Sequence, residues 1–403
     1  MLNSFLVAKI TLVFGGNQTI PRKILLAFIF IGLTSLTADM VYEGARSVGG
    51  SYLEYLGAAP IASAIASSGD LIGYGLRFLS GLLASIYASS AIIWGFTILG
   101  YVLTTATLPL LTFSRSWEIA TVLYLLERVG KGIRTPARDV ILAELTKDIG
   151  RGKGFGLHEV MDQIGAVLGP AILAVAITLF GFSRSFLILL IPGILSIVFI
   201  LSAYRLYPSV ESVEISAPKI SFKDLGRGFW IYTFSMIFLS LGYVHWMIVS
   251  YYLRSKSVLS DPEIAVAYLV AMFVDALIAF PIGYLYDKIR YRSLLMAPIS
   301  SLLALIILLL SPTNHLYAYY SAALWGLTMG CYETIMRASI ADIVAPEKRA
   351  LAYGVFGLLY GISWTVGAFI YSILIWDTLM AILYTSIVQL ISIILLMHLL
   401  SMK

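Results

Sequence analysis

The sequence predicts an all-α membrane protein with twelve transmembrane helices in two pseudo-symmetric six-helix bundles. Three observations carry this. The 403 residues are 60% hydrophobic and only 12% charged, where soluble domains carry about 25% charge. Apolar stretches of about 18 or more residues recur along the whole length, each long enough to cross a hydrocarbon core of about 30 Å. Finally, residues 141–169 lie on residues 339–367 without a gap. That pairs Ala143 with Ala341, Glu144 with Asp342, Arg151 with Arg349, Gly156 with Gly354 and Gly169 with Gly367. Repetition of this kind marks transporters built from related bundles, with the substrate site between them near the midplane.

Taken in order, residues 2–15 are short, are interrupted by Lys9, and lack a small-residue cleavage site before Arg22 and Lys23. They read as a segment lying on the membrane surface, not a cleaved signal. Span 1 (24–48) carries Asp39 and Glu43 one turn apart, with Arg46 three residues on. Span 2 (57–84) carries Asp70 and Arg77 on one helical face. Span 3 (90–112) is uncharged. Span 4 (117–142) contains "LLERVGKGIRTPARD" (125–139), with six charged side chains in line with the apolar run before it. Glu127, Lys131, Arg134 and Arg138 follow 4-3-4 spacing and share one stripe, and Pro136 is placed to kink the helix. Span 5 (154–180) lines His158, Asp162, Gly165 and Gly169 along one stripe, and span 6 (185–206) closes the first bundle.

Residues 207–228, with two Pro, several Ser and mixed charge, read as a linker. The expected organisation is a bundle over 1–206, a linker over 207–227 and a second bundle over 228–403. Spans 7 to 12 are expected at 228–253, 263–286, 293–311, 316–341, 350–374 and 378–400. They bury far less charge, mainly Asp275, Glu333 and Arg337, with His245 as a polar outlier.

The connections alternate in charge. Lys147, Arg151, Lys153, Arg205, Lys219, Lys223, Arg227, Lys288, Arg290, Arg292, Lys348 and Arg349 fall on one side with Arg22 and Lys23. We call this the basic face. The positive-inside rule places it, and both termini, in the cytoplasm of a cell-membrane protein. Because the net charge of +5 arises at helix ends, it gives no sign of a nucleic-acid partner. Cys331 is the single cysteine and the four His are scattered, so neither a disulfide nor a metal centre is expected. No phosphate-binding loop or covalent catalytic set is visible, so the chain is expected to be neither ATP-driven nor an enzyme, and to need no cofactor.

Three local patterns resemble the major facilitator superfamily, and the resemblance spans essentially the whole chain. "GYLYDKIRYR" (283–292), between spans 8 and 9, is similar to that family's G-x-x-x-D-K/R-x-x-R/K loop. "RVGKGIRTPA" (128–137) resembles its fourth-helix R-x-x-x-G pattern. "GAVLGP" (165–170) resembles the fifth-helix G-x-x-x-G-P pattern associated with antiporters, so the motif set is closest to proton-coupled efflux antiporters. The resemblance implies gating roles for Gly283, Asp287, Gly165, Gly169 and Pro170, with Asp287 pairing Arg337 as a cytoplasmic lock. A carboxylate suits such a lock because it favours both a helix N-terminus and an Arg. The loop between spans 2 and 3, "GLLASIYASSA" (81–91), keeps Gly81 but has no acidic or basic residue, so only the second-half lock is available.

Charge inside a bilayer costs about 2.5–3.5 kcal/mol by insertion scales and therefore faces a partner or a wet cavity. The expected proton-coupling group is Asp39, Asp70, Arg128 and Asp162, with Arg128 buried against a carboxylate of span 1, 2 or 5. The expected substrate cavity is lined by Glu43, Lys131, Arg134, His158, Asp275, Glu333, Tyr360 and Trp364. A carboxylate beside an Arg suits coupling, since burial and the cation pull its protonation in opposite directions. The functional expectation is a monomeric secondary transporter that works by alternating access and exports a small molecule in exchange for protons. The alternative is proton-coupled uptake of an anionic metabolite.

Overall fold

A computed structural model describes residues 21–87, 89–147, 150–210 and 225–402. The surface segment predicted at residues 2–15 lies outside these, as do residues 211–224 of the expected linker. Every regular element among the described residues is helical, and together they form twelve rods. Span 1 is two helices, Arg22–Ser47 and Gly49–Tyr55, broken at Val48. Span 2 is Pro60–Ser67 followed by Gly69–Tyr87. Span 3 is Ser90–Thr107, prolonged by the 3-10 turn Leu108–Phe113. Span 4 is Trp117–Leu145, unbroken through Pro136, and span 5 is Arg151–Phe180. Span 6 runs from Phe182 to Leu206 with a 3-10 turn inside it.

The second bundle follows the same plan. Span 7 is Gly226–Leu241, then a non-helical joint, then Trp246–Ser255. Span 8 is Asp261–Ile289, opened by a capping box in which Ser260 and Glu263 satisfy each other's backbone. Span 9 is Met296–Leu310 after the 3-10 turn Arg290–Leu295. Span 10 is Leu316–Cys331, a π turn Tyr332–Met336, and Arg337–Ile343. Spans 11 and 12 are Arg349–Leu374 and Thr378–Ser401.

The internal repeat is visible in the packing. A Cβ on Gly169 of span 5 would lie 2.5 Å from the Met40 carbonyl of span 1, and one on Gly367 of span 11 would lie 2.7 Å from the Leu241 carbonyl of span 7. Both glycines therefore let two backbones touch, the small-residue packing that membrane bundles use in place of a hydrophobic driving force. The matched acids behave alike as well: Glu144 accepts from the Tyr207 hydroxyl and Asp342 from Tyr286. Outward-facing apolar side chains such as Phe280 and Ile373 are left to lipid.

The halves are joined on the face opposite the basic loops. There the Gly49–Tyr55 helix crosses the Trp246–Ser255 helix so closely that a Cβ on Gly50 would lie 1.7 Å from the Met247 carbonyl. The sequence "GGSYLEY" looks like the end of a helix, and the prediction stopped span 1 at 48. Packing against span 7 extends it by another two turns. Gly50 N–H donates to Ser250 Oγ, Trp246 Nε1 to the Ser47 carbonyl at 2.8 Å, Tyr251 to the Ala58 carbonyl at 2.6 Å, and Arg254 pairs with Glu54 at the rim. Toward the basic face, Glu159 of span 5 and Arg337 of span 10 are exposed, while a Cβ on Gly354 of span 11 would lie 3.8 Å from Phe78 of span 2.

Candidate functional site: a charged first half against an aromatic second half

The break at Val48 and the Ser68 joint bring Arg46 and Asp70 to the level of Arg128 on span 4. Asp70 accepts from Arg46 Nη2 at 3.3 Å and from His245 Nε2 at 3.0 Å, and is ion-paired with Arg128, Nε to Oδ1 at 3.2 Å. Arg128 also reaches Glu127 at 3.2 Å. His245 belongs to span 7, and its other nitrogen, Nδ1, accepts the Met247 backbone N–H at 3.1 Å. That bond caps the Trp246–Ser255 helix and fixes the tautomer: Nδ1 is bare, so Nε2 carries the hydrogen given to Asp70. Beside these groups lies a cavity of about 10 Å³ measured at the centre of a water-sized sphere, the space of one water. Arg46 Nε and Glu127 Oε1 line it without a protein partner.

One turn toward the basic face, Lys131 Nζ stands 3.8 Å from the centre of the Tyr42 ring, and the Arg128 guanidinium 5.5 Å from it. The Tyr42 hydroxyl points to Asp39 Oδ2 at 3.3 Å. Asp39 is buried and, among the described residues, has no ion pair. Next to it a polar network ties spans 1, 3, 4 and 5. Ser35 meets Tyr101 at 2.7 Å and His158 Nε2 at 3.0 Å, while His158 Nδ1 lies 3.4 Å and Arg138 Nη1 3.7 Å from Asp162 Oδ2. Asp162 Oδ1 has no partner.

The second half contributes chiefly aromatic surface. Tyr332, Tyr360, Trp364 and Tyr243 stack in sequence, and His245 packs on Trp364 at 4.7 Å. Acids of each half meet neutral donors of the other. Tyr268 of span 8 donates to Glu43 Oε2 at 2.5 Å, and Gln163 Nε2 of span 5 donates to Glu333 Oε2 at 3.2 Å. Tyr74 and Tyr332 also bond across the interface.

Several sequence-based expectations shift. Arg128 meets span 2 through Asp70, one of the three partners anticipated. Lys131 and Glu333 are partly exposed, and Glu43, Arg134, His158, Asp275, Tyr360 and Trp364 are buried. Arg134 turns away from the centre because Gly100 of span 3 leaves room for it, and its guanidinium lies 4.2 Å from the Tyr101 ring centre. Tyr360 and Trp364 are absorbed by their own stack. Asp287 and Arg337 are not paired here. Asp287 is exposed with no ion pair among the described residues, and Arg290 reaches Asp342 at 2.7 Å instead. Gly283 lies beside Thr334, while Gly165, like Gly169, is pressed onto span 1 with Pro170 following in the same buried stripe. Sequence reasoning overlooked Arg46, His245 and Tyr268 as site residues. The signal available for His245 was its position as a lone polar group in the apolar span 7.

The model of the Major Facilitator Superfamily matches residues 24–255 and again residues 234–402. The chain belongs to that superfamily. An uncharacterized protein of Mycobacterium tuberculosis is 36% identical over 349 residues, covering 83% of this chain and 84% of the relative. An uncharacterized MFS-type transporter of Methanocaldococcus jannaschii is 27% identical over 368 residues, covering 86% and 88%. Among solved structures, the fold is shared with the nucleoside transporter NupG (TM-score 0.69, 14% identity, 93% of this chain and 98% of that one). It is shared also with a POT family transporter in complex with 5-aminolevulinic acid (TM-score 0.74, 16% identity, 95% and 97%). A third is a bacterial homolog of the lysosomal transporter Spinster in an inward-facing, unoccupied conformation (TM-score 0.65, 16% identity, 88% and 82%). This superfamily member is a multi-pass secondary transporter, not an enzyme.

Proposed function

We propose that the protein is a proton-coupled exporter of a small molecule, working in the cell membrane with both termini in the cytoplasm. On this reading the basic face is cytoplasmic, and a closed opposite face with Glu159 and Arg337 exposed toward the basic loops is an inward-facing state. Asp39 and Asp162 are the coupling residues. The observation that carries this is the first-half network: Asp39 is buried without an ion pair and Asp162 has one oxygen unpartnered. Carboxylates so placed change protonation with small changes in geometry. Asp70, held by three partners, is better suited to organising Arg46 and Arg128 than to carrying the proton. The Asp287–Arg337 lock belongs to the outward-open state, which explains their separation here. The span-5 antiporter pattern supports export.

Anionic-metabolite uptake is the competing reading, favoured by the exposed Arg337 and partly exposed Lys131. A substrate found by thermal-shift screening, followed by proteoliposome flux, separates the two. Export by exchange moves protons against the substrate, and uptake moves them with it. For coupling, Asp39→Asn or Asp162→Asn is expected to lose gradient-driven flux yet keep substrate counterflow, which needs no net proton movement. If both variants keep gradient-driven flux, or if Asp275→Asn alone uncouples, the assignment is wrong.

A further inference from the structure

Below the rim pair Arg254–Glu54, the ion pairs at the level of the central cluster, Arg46–Asp70, Arg128–Asp70 and Arg128–Glu127, lie wholly within the first half. Each survives intact if the halves rock apart. Among the bonds that cross the interface there, two set a neutral donor of the second half on a first-half carboxylate: Tyr268 Oη on Glu43, and the His245 Nε2–H on Asp70.

We propose that Tyr268 and His245 are the latch residues of the closed face, holding it shut through Glu43 and Asp70 so that opening breaks hydrogen bonds and separates no ion pair of the central cluster. Both donors are held in place by their own half. The Tyr268 ring packs at 4.8 Å on Trp246, and His245 is fixed by the Met247 amide and by Trp364. A hydrogen bond to an ionised acceptor is about twice as strong as one to a neutral acceptor. Losing either donor therefore removes a charge-assisted bond from the closed face.

The latch draws on the proton-coupled reading only for its physiological use, and its test involves neither substrate nor flux. Spin labels at Ala59→Cys and Lys256→Cys, exposed positions on the two sides of the closed face, are placed in a Cys331→Ser background in lipid nanodiscs. The unaltered latch is expected to give a short label distance. Tyr268→Phe or His245→Phe should shift the closed-to-open ratio by about tenfold or more, the effect of one charge-assisted bond. The double variant should populate the long distance more than either single variant, and His245→Gln, which keeps a neutral N–H donor, should recover part of the closed population lost in His245→Phe. Unchanged distances in both Phe variants, or a double variant no more open than the singles, overturn the proposal. So does a loss of thermal stability without any change in distance.

Discussion

Replacing Asp70 by Asn keeps the shape and removes the charge, which makes it a direct probe of the central cluster. Arg128 retains Glu127 at 3.2 Å, but among the described residues Arg46 has no other ion pair and its Nε has no hydrogen-bond partner. The side chains of Arg46, Arg128 and Asp70 are 6%, 11% and 14% exposed, so water offers little rescue. Removing one partner of a buried pair costs about 3–5 kcal/mol because the other charge is left uncompensated. The lower end applies here, since Glu43 lies one turn from Arg46 and the amide oxygen still accepts one bond. The expected result is a drop of several degrees in melting temperature in detergent. Asp70→Asn combined with Arg46→Gln, which removes the stranded charge, should recover at least half of that drop, a coupling of about 1–3 kcal/mol. If the single variant melts within about a degree of the parent, or if the double variant is worse than the single, Asp70 is not what neutralises Arg46.

Arg128→Lys should lower transport about tenfold or more, because an ammonium cannot span Asp70 and Glu127 as the guanidinium does; near-parental initial rates of uptake into vesicles count against this. Gly169→Leu should prevent spans 1 and 5 from touching, at a cost of about 1–3 kcal/mol read as a lower melting temperature, whereas Gly156→Leu, with open space around it, should have little effect. Asp287→Asn should leave the melting temperature unchanged yet increase thiol labelling of cysteines introduced in the vestibule on the basic face, because the outward-open state loses its lock. Unchanged labelling refutes that lock.

The twelve spans were legible because bilayer thickness sets the length of each apolar run, and the repeat was legible because matched glycines must let backbones touch. Span ends were less so. Span 1 continues through two glycines because span 7 packs over them, a tertiary effect that local propensity does not contain. The charged stripe on span 4 announced a buried network, and the Arg128–Asp70 contact was among those anticipated. Helical spacing gives a face but no partner, however. Arg134 turned toward span 3 because of one glycine on that helix, and Arg46 chose Asp70 over its own neighbour Glu43 because span 2 brings Asp70 within reach. His245 and Tyr268 were hidden for a different reason: each meets a carboxylate on the other half of the chain, 175 and 225 residues away.

The π turn in span 10 gains meaning when the internal repeat is followed upstream. The pairing that sets Gly169 against Gly367 also sets Pro136 of span 4 opposite Thr334, in the middle of Tyr332–Met336. Proline removes one rung of the helical ladder by lacking its N–H and by crowding the carbonyl a turn earlier. A π turn loosens the same stretch by reaching one residue too far. Two unlike chemical devices thus weaken both bundles at one height, where Tyr332 and Glu333 still bond to the first half. Each of these rods is in effect two stiff pieces with a compliant joint, so the ends near the basic loops can bend while the upper pieces stay packed. Tilting of whole bundles is then only part of the motion available to this fold. An alanine at Pro136, or deletion of one residue from the π turn, would stiffen one bundle and leave its twin free to bend.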